Sequence, residues 1–306
     1  MTQWRCLPGA TPRSAQTDRP MPNEHRANRR FRPQRRWSLA LAVALLVATG
    51  GLAETASGEA QRRGRARQQA GPRNAAQHNA RGVELIGESK LEEALEAFEN
   101  AIELDPELAQ AHFNKGLVLS DLSRLDDAIA SYATAVQLDP AYAEAHFRLG
   151  QAWYGKGQVQ ECIEALQRAV EIEPSHAPAH LSLGQILFTE GRARESVAAL
   201  QNAVQADPEL ADAHLALGNV WGALGDVDEA IKAFGEAVRL APDKPEAHFR
   251  LAVSLYGAEE YAEAWKHVHQ AQDLELAVPE PFLDALRQEM PEPKRQERTT
   301  RAGSGP

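Results

Sequence analysis

The stretch LDPAYAEAHFRLGQAW, Leu138–Trp153, decides the fold, because close relatives of it recur along the chain at one spacing. Pro106, Pro140, Pro174, Pro208 and Pro242 stand 34 residues apart, as do Gly82, Gly116, Gly150, Gly184 and Gly218. His78, His112, His146, His180, His214 and His248 keep the same step. A fixed period of about 20–50 residues marks a stacked architecture, in which each unit buries its apolar face on its neighbours. The period predicts six units, over 75–108, 109–142, 143–176, 177–210, 211–244 and 245–278.

Counting from the first residue of each unit, the proline is position 32, and apolar or small residues recur at 4, 7, 8 and 11 and again at 20, 24 and 27. Steps of three and four place such residues on one face of a helix. Gly157, Gly191 and Gly225 fall at position 15, where glycine can take the left-handed conformation that ends a helix. In Asp105-Pro106, Asp139-Pro140 and Asp207-Pro208 the aspartate can cap a helix or hold a turn, while proline cannot continue the preceding helix. Each unit therefore reads as helix, tight turn, helix, and the chain as all-α. Beyond the sixth unit, 279–290 places Phe282, Leu283, Leu286 and Met290 on one face of a short helix, expected to cover the open end of the stack. Residues 291–306, charged and containing Pro and Gly, are expected to be disordered.

These residues resemble the tetratricopeptide repeat family, whose signature has Leu at 7, Gly or Ala at 8, an aromatic or Leu at 11, Ala at 20, an aromatic at 24, Ala at 27 and Pro at 32. The fifth unit supplies Leu217, Gly218, Trp221, Ala230, Phe234, Ala237 and Pro242. The second supplies Gly116, Leu119, Ala128, Tyr132, Ala135 and Pro140, and the third Leu149, Gly150, Trp153, Leu166, Ala169 and Pro174. Departures sit at the ends: Arg81 and Lys115 replace Leu at position 7, and Leu276 replaces the last Pro. The resemblance implies a right-handed superhelical solenoid of six antiparallel helix pairs with a C-terminal capping helix, working as a protein interaction scaffold.

Charge is segregated along the chain. Residues 1–53 carry nine Arg against Asp18 and Glu24, whereas 75–290 hold 15 Lys and Arg against 37 Asp and Glu, a net −22. A field of that sign repels phosphate backbones, which argues against nucleic acid as a partner of the repeat body. Cysteine is limited to Cys6 and Cys162, without a CxxC pair, so neither a disulfide framework nor a zinc site is indicated.

At the amino end, Arg-dense sequence up to Arg36 gives way to the apolar block Trp37–Ala53 and then to polar sequence from Glu54. The block is short for a membrane span of about 20 residues but suits a secretory signal, with Gly51-Leu52-Ala53 supplying the small residues, Gly51 and Ala53, of a cleavage site. A start at Met21 instead of Met1 would give a signal of more usual length. Left uncleaved, 37–53 would anchor the protein with the same orientation, so the repeats are expected outside the cytoplasm, periplasmic or secreted, in both cases. Residues 54–74, with Arg62, Arg63, Arg65, Arg67 and Arg73, read as a flexible basic arm, and only this arm or an uncleaved signal would touch a membrane.

No stretch carries a nucleophile elbow, a phosphate loop or a carboxylate pair, and no cofactor, metal ligand set or catalytic residue is expected. The histidine ladder is the feature that most invites a metal reading. Stacked helices lie roughly 8–10 Å apart, while ligand nitrogens sit within about 2.1 Å of a shared ion, so the ladder reads as structural. A second stripe on the first helix of each unit, at positions 2, 5, 9, 12 and 13, centres roughly 140° from the packing stripe at about 100° per residue. In the family this stripe lines a concave groove. Here it offers Phe113, Phe147, Leu181, Leu215 and Phe249 at position 5 and Leu117, Gln151, Gln185 and Asn219 at position 9. Position 12 adds Tyr154, Phe188 and Tyr256. Apolar anchors beside amides suit a protein or peptide client. Asn114 and Arg148 stand where some family members hold a terminal carboxylate, but Asn79, Val83 and Glu144 break that clamp. The expected function is a non-catalytic scaffold, placed in envelope assembly by the signal, with an accessory subunit of a glycan-modifying enzyme complex as the alternative.

Overall fold

The computed structural model describes residues 74–293. The signal or anchor, the basic arm through residue 73 and the tail from 294 lie outside the described residues. Within 74–293 every regular element is a helix. The first unit pairs α1 (74–87) with α2 (Leu91–Leu104), and the second α3 (Ala109–Asp121) with α4 (Leu125–Leu138). Then come α5 (Ala143–Gly155) with α6 (Val159–Ile172), α7 (Ala177–Thr189) with α8 (Ala193–Ala206), and α9 (Ala211–Leu224) with α10 (Val227–Leu240). The last pair is α11 (Pro245–Gly257) and α12 (Tyr261–Asp273), followed by α13 (Glu280–Glu289).

The turn inside every unit has one geometry. The N–H at position 16 donates to the carbonyl at position 11, as in Gln158 to Trp153 at 3.0 Å and Arg192 to Leu187 at 2.8 Å, and the N–H at position 15 donates to position 12. That paired closure needs a left-handed residue at position 15. Gly157, Gly191 and Gly225 supply it freely, but Ser89 (φ 60°), Ser123 (φ 59°) and Glu259 (φ 63°) adopt it too. A side chain in this region costs roughly 1–2 kcal/mol. Glu259→Gly and Ser123→Gly are therefore each expected to stabilise the fold by about 0.5–1 kcal/mol, less than the full strain because glycine also frees the unfolded chain. Urea titration of both variants checks this, and a loss of stability in either would contradict it.

Between units, Asp105, Asp139 and Asp207 accept the backbone N–H two residues on, at 3.0–3.1 Å, so their role is to hold the turn. Inside each unit the two helices meet at position 8, where a Cβ on Gly82, Gly184 or Gly218 would come within 2.5–2.6 Å of Phe98, Leu200 or Phe234 at position 24. Alanines complete the close approach: Ala101, Ala135, Ala169, Ala203, Ala237 and Ala271 at position 27 are fully buried, as are Ala111, Ala145, Ala179, Ala213 and Ala247 at position 3.

Each helix packs on the next in order along the chain. First helices also reach one another, α3 with α5, α7 with α9 and α9 with α11, whereas successive second helices make no comparable contact among the described residues. The first helices thus form the inner face of the solenoid. At the carboxyl end α13 stands where a further first helix would be. It buries Leu283 and Leu286, seats Phe282 and Met290 against the same cluster, and accepts a hydrogen bond from Trp265 Nε1 on the Met290 carbonyl at 3.0 Å.

Candidate functional site

The inner face collects residues from the first helices, and the structure divides the stripe read from sequence into two sets. Phe113, Phe147 and Leu215 at position 5 are buried. Phe113 packs on Tyr132 and Tyr142, with ring centroids 5.8 and 4.8 Å away, and Phe147 on His176 at 4.9 Å. As free anchors for a client these three are corrected: they belong to the contacts between helices. Phe249 and Tyr256 are half-buried beneath Phe282 of α13, edge to face at 5.7 and 5.6 Å. Leu117, Leu181, Phe188 and Asn219 are half-buried, while Gln151, Gln185 and Tyr154 are exposed, the tyrosine by 53%.

Gln151, Tyr154 and Gln185 surround one cleft. The approach of α5 to α7 is looser than that of α3 to α5 or α7 to α9, and a cleft of about 300 Å³ opens there. Cys162 and Leu166 of α6 and Ile186 of α7 form its floor, and Ser182 and Thr189 of α7 join the rim. Cys162 is free and buried at position 20, where other units have Ala or Ser; burial pushes its thiol up to about 11, which keeps it uncharged. No Asp, Glu, Lys or Arg lines the cleft.

Beside the cleft runs a polar chain that the sequence did not reveal. His176 caps α7, its Nδ1 accepting from the Ala179 N–H at 3.1 Å, so its proton resides on Nε2 and is donated to Glu144 Oε2 at 3.0 Å. Glu144 Oε1 takes Arg148 Nε at 2.6 Å, and Arg148, lying over the Phe147 ring at 5.3 Å, donates through Nη1 to Gln151 Oε1 at 3.1 Å. The other clamp position is also occupied: Asn114 is buried and donates to Asn79 Oδ1 at 2.9 Å. A carboxylate clamp has no free cation at either place.

The histidine ladder is structural, through a partner in the preceding unit. Nε2 of His112, His146, His180, His214 and His248 lies 3.0–3.3 Å from the carbonyl of the proline six residues earlier. A carbonyl only accepts, so each Nε2 carries the proton and, in the neutral ring, Nδ1 is bare. For His180 that Nδ1 is buried without a partner, and for His248 it accepts from His267 Nδ1 at 3.0 Å. Burial lowers the pKa of His146, His180 and His267, with His176 adding at His180 and His248 at His267, although the proline carbonyl opposes the shift at His146 and His180. The folded chain then binds fewer protons than the unfolded one near and below the ordinary histidine value of about 6.5. Their contribution is full above that value and is lost as pH falls through the folded values. Denaturation midpoints should drop between about pH 7 and pH 5, and His267→Gln should flatten the drop; a wild-type profile flat over that range would refute the assignment.

Models of known families match along the stack: the TPR repeat model over 86–123 and 119–157, and tetratricopeptide repeat models over 143–176 and over 163–211, 181–234 and 215–267. No curated protein sequence matches significantly. Among solved structures, MamA is 27% identical with a TM-score of 0.50, over 54% of this chain and 96% of that one. YrrB, described as a TPR protein with an unusual peptide-binding site, is 25% identical with a TM-score of 0.53, over 59% of this chain and 93% of its own. PilF of Pseudomonas aeruginosa shares the fold at 15% identity, with a TM-score of 0.61 over 72% of this chain and 99% of that one. With repeat models spanning 86–267, more than half of its length, and glycines, alanines and left-handed turns in the register those repeats require, the chain belongs to the tetratricopeptide repeat family.

Proposed function

We propose that the protein is a non-catalytic scaffold that holds a protein or peptide client along the inner face of its first helices, anchored at the cleft between α5 and α7. The observation that carries this reading is the cleft itself: exposed Tyr154, Gln151 and Gln185 gathered over an apolar floor in the middle of the stack. Such a convergence of an apolar pocket with a few polar groups is the usual form of a binding site. The likeness to YrrB supports a peptide-like ligand. Of the stripe, Leu117, Leu181, Phe188 and Asn219 extend the surface to either side, and Phe249 and Tyr256 close it at the carboxyl end.

The proposed setting is outside the cytoplasm, in envelope assembly, on the strength of the Arg-dense start and the apolar block 37–53. Mass spectrometry of the protein from its native compartment should find the chain beginning after Ala53; an intact 37–52 would mean an anchor, and full-length protein in the cytoplasm would remove the setting altogether.

For the client, the mature protein and its Tyr154→Ala and Gln185→Ala variants are used as bait on extracts of the native compartment. Buried aromatic anchors at the centre of an interface are worth about 2 kcal/mol or more, so at least one protein held by the wild type should be lost with Tyr154→Ala. Both variants should melt within a few degrees of the wild type, since neither side chain is in the core. Identical sets of captured proteins on all three baits would count against the proposal.

A further inference from the structure

We propose, resting on the scaffold reading, that the α5–α7 cleft is a subsite for one uncharged apolar side chain of an extended peptide segment, with Gln151 presented as a donor to a main-chain carbonyl beside it. The donor role comes from the polar chain described above. Arg148 occupies Gln151 Oε1, and Arg148 is itself fixed by Glu144 and by its place over Phe147. The amide nitrogen of Gln151, on an exposed side chain that lines the cleft, is left with no partner among the described residues. Arg148 is a positioning residue here, its own charge taken up by Glu144.

A donor at the lip asks for an acceptor, and main-chain carbonyls are the acceptors that every peptide carries. A carboxylate is the poorer fit, with Glu144 on the same helix and a repeat body of net −22. The volume sets the size of the guest. At about 300 Å³ the cleft is at the lower edge of ligand pockets, which span about 300–1,000 Å³, so it takes a single side chain and not a folded element. Its floor of Leu166, Ile186 and Cys162 offers no counter-ion, and a charged side chain buried there would lose its hydration unpaired. A guest of the leucine, methionine or phenylalanine class satisfies both constraints. Gln185, one repeat further on in the same register, supplies a second amide.

The test pans a phage-displayed library of random peptides against the full chain, then measures the affinity of the enriched peptides for the wild type, Gln151→Glu, Thr189→Trp and Asn219→Ala. Thr189→Trp fills the cleft from its exposed rim, Gln151→Glu removes the donor, and Asn219→Ala lies one repeat beyond. Enriched peptides are expected to share one bulky apolar position, and Thr189→Trp and Gln151→Glu are each expected to weaken binding at least tenfold, with melting temperatures within a few degrees of the wild type. No enrichment, or a shared charged anchor, overturns the subsite. Peptides that tolerate both cleft variants but not Asn219→Ala overturn the subsite and the cleft as the anchor while leaving a client along the inner face, and peptides indifferent to all three variants overturn the scaffold reading as well.

Discussion

Gly184→Ala should destabilise the solenoid by about 1–3 kcal/mol, although alanine is favoured over glycine by about 1 kcal/mol in an ordinary helix. The new Cβ would lie 2.5 Å from Leu200 Cγ and 3.3 Å from the Leu200 backbone nitrogen, so relief requires α7 and α8 to separate, not merely one side chain to turn. The sixth unit indicates the compensation. There Ala252 and Val268 occupy the two positions and both are fully buried, one methyl moved across the interface and the facing side chain cut back. Gly184→Ala combined with Leu200→Val should therefore regain most of the loss. Denaturant titration of the single and double variants decides it: a single variant as stable as the wild type, or a double variant worse than the single, would show that the interface gives more easily than this contact implies.

A larger loss is expected from Trp265→Ala, about 3–5 kcal/mol. The indole is fully buried, and its Nε1 ties α12 to the Met290 carbonyl at the end of α13. In a stack whose units touch only their neighbours the damage should stay near the point of injury. Hydrogen exchange is expected to accelerate in α11, α12 and α13 while α3 to α6 keep wild-type protection. Uniform acceleration along the chain would show instead that the stack opens as one cooperative body.

How far the sequence could be read follows from what each signal measures. The 34-residue step located the turn inside each unit, but glycine marks only three of the six left-handed residues at position 15; Ser89, Ser123 and Glu259 are held in that conformation by the hydrogen bonds around them, and Glu275, left-handed after α12, falls outside the pattern. The buried alanines at position 3 were silent because alanine is as common on exposed helix faces as on buried ones. Position 5 misled for a geometric reason. A first helix in a stack touches not only second helices but also the first helix of the next unit, so a stripe lying well away from the packing face of an isolated pair is claimed by a third neighbour. Phe113, Phe147 and Leu215 are buried against such neighbours and the segments that join them, while Gln151, Tyr154 and Gln185 at positions 9 and 12 stay open over the cleft where α5 and α7 stand apart. The link from His176 to Gln151 joins residues 25 apart on two helices, and no local pattern announces it.

The histidine bonds also fix what counts as a module. Because His146 closes on the Pro140 carbonyl, and Asp139 holds the turn in between through the Ala141 N–H, the segment before Ala143 belongs mechanically to the helix that follows it. A block excised at the helix boundary would leave its acceptor behind and begin with a half-buried imidazole that has lost its partner. Cut at Asp139, Asp207 or the equivalent place, the block carries its own clasp, which makes that residue the natural joint for grafting, duplicating or deleting a repeat.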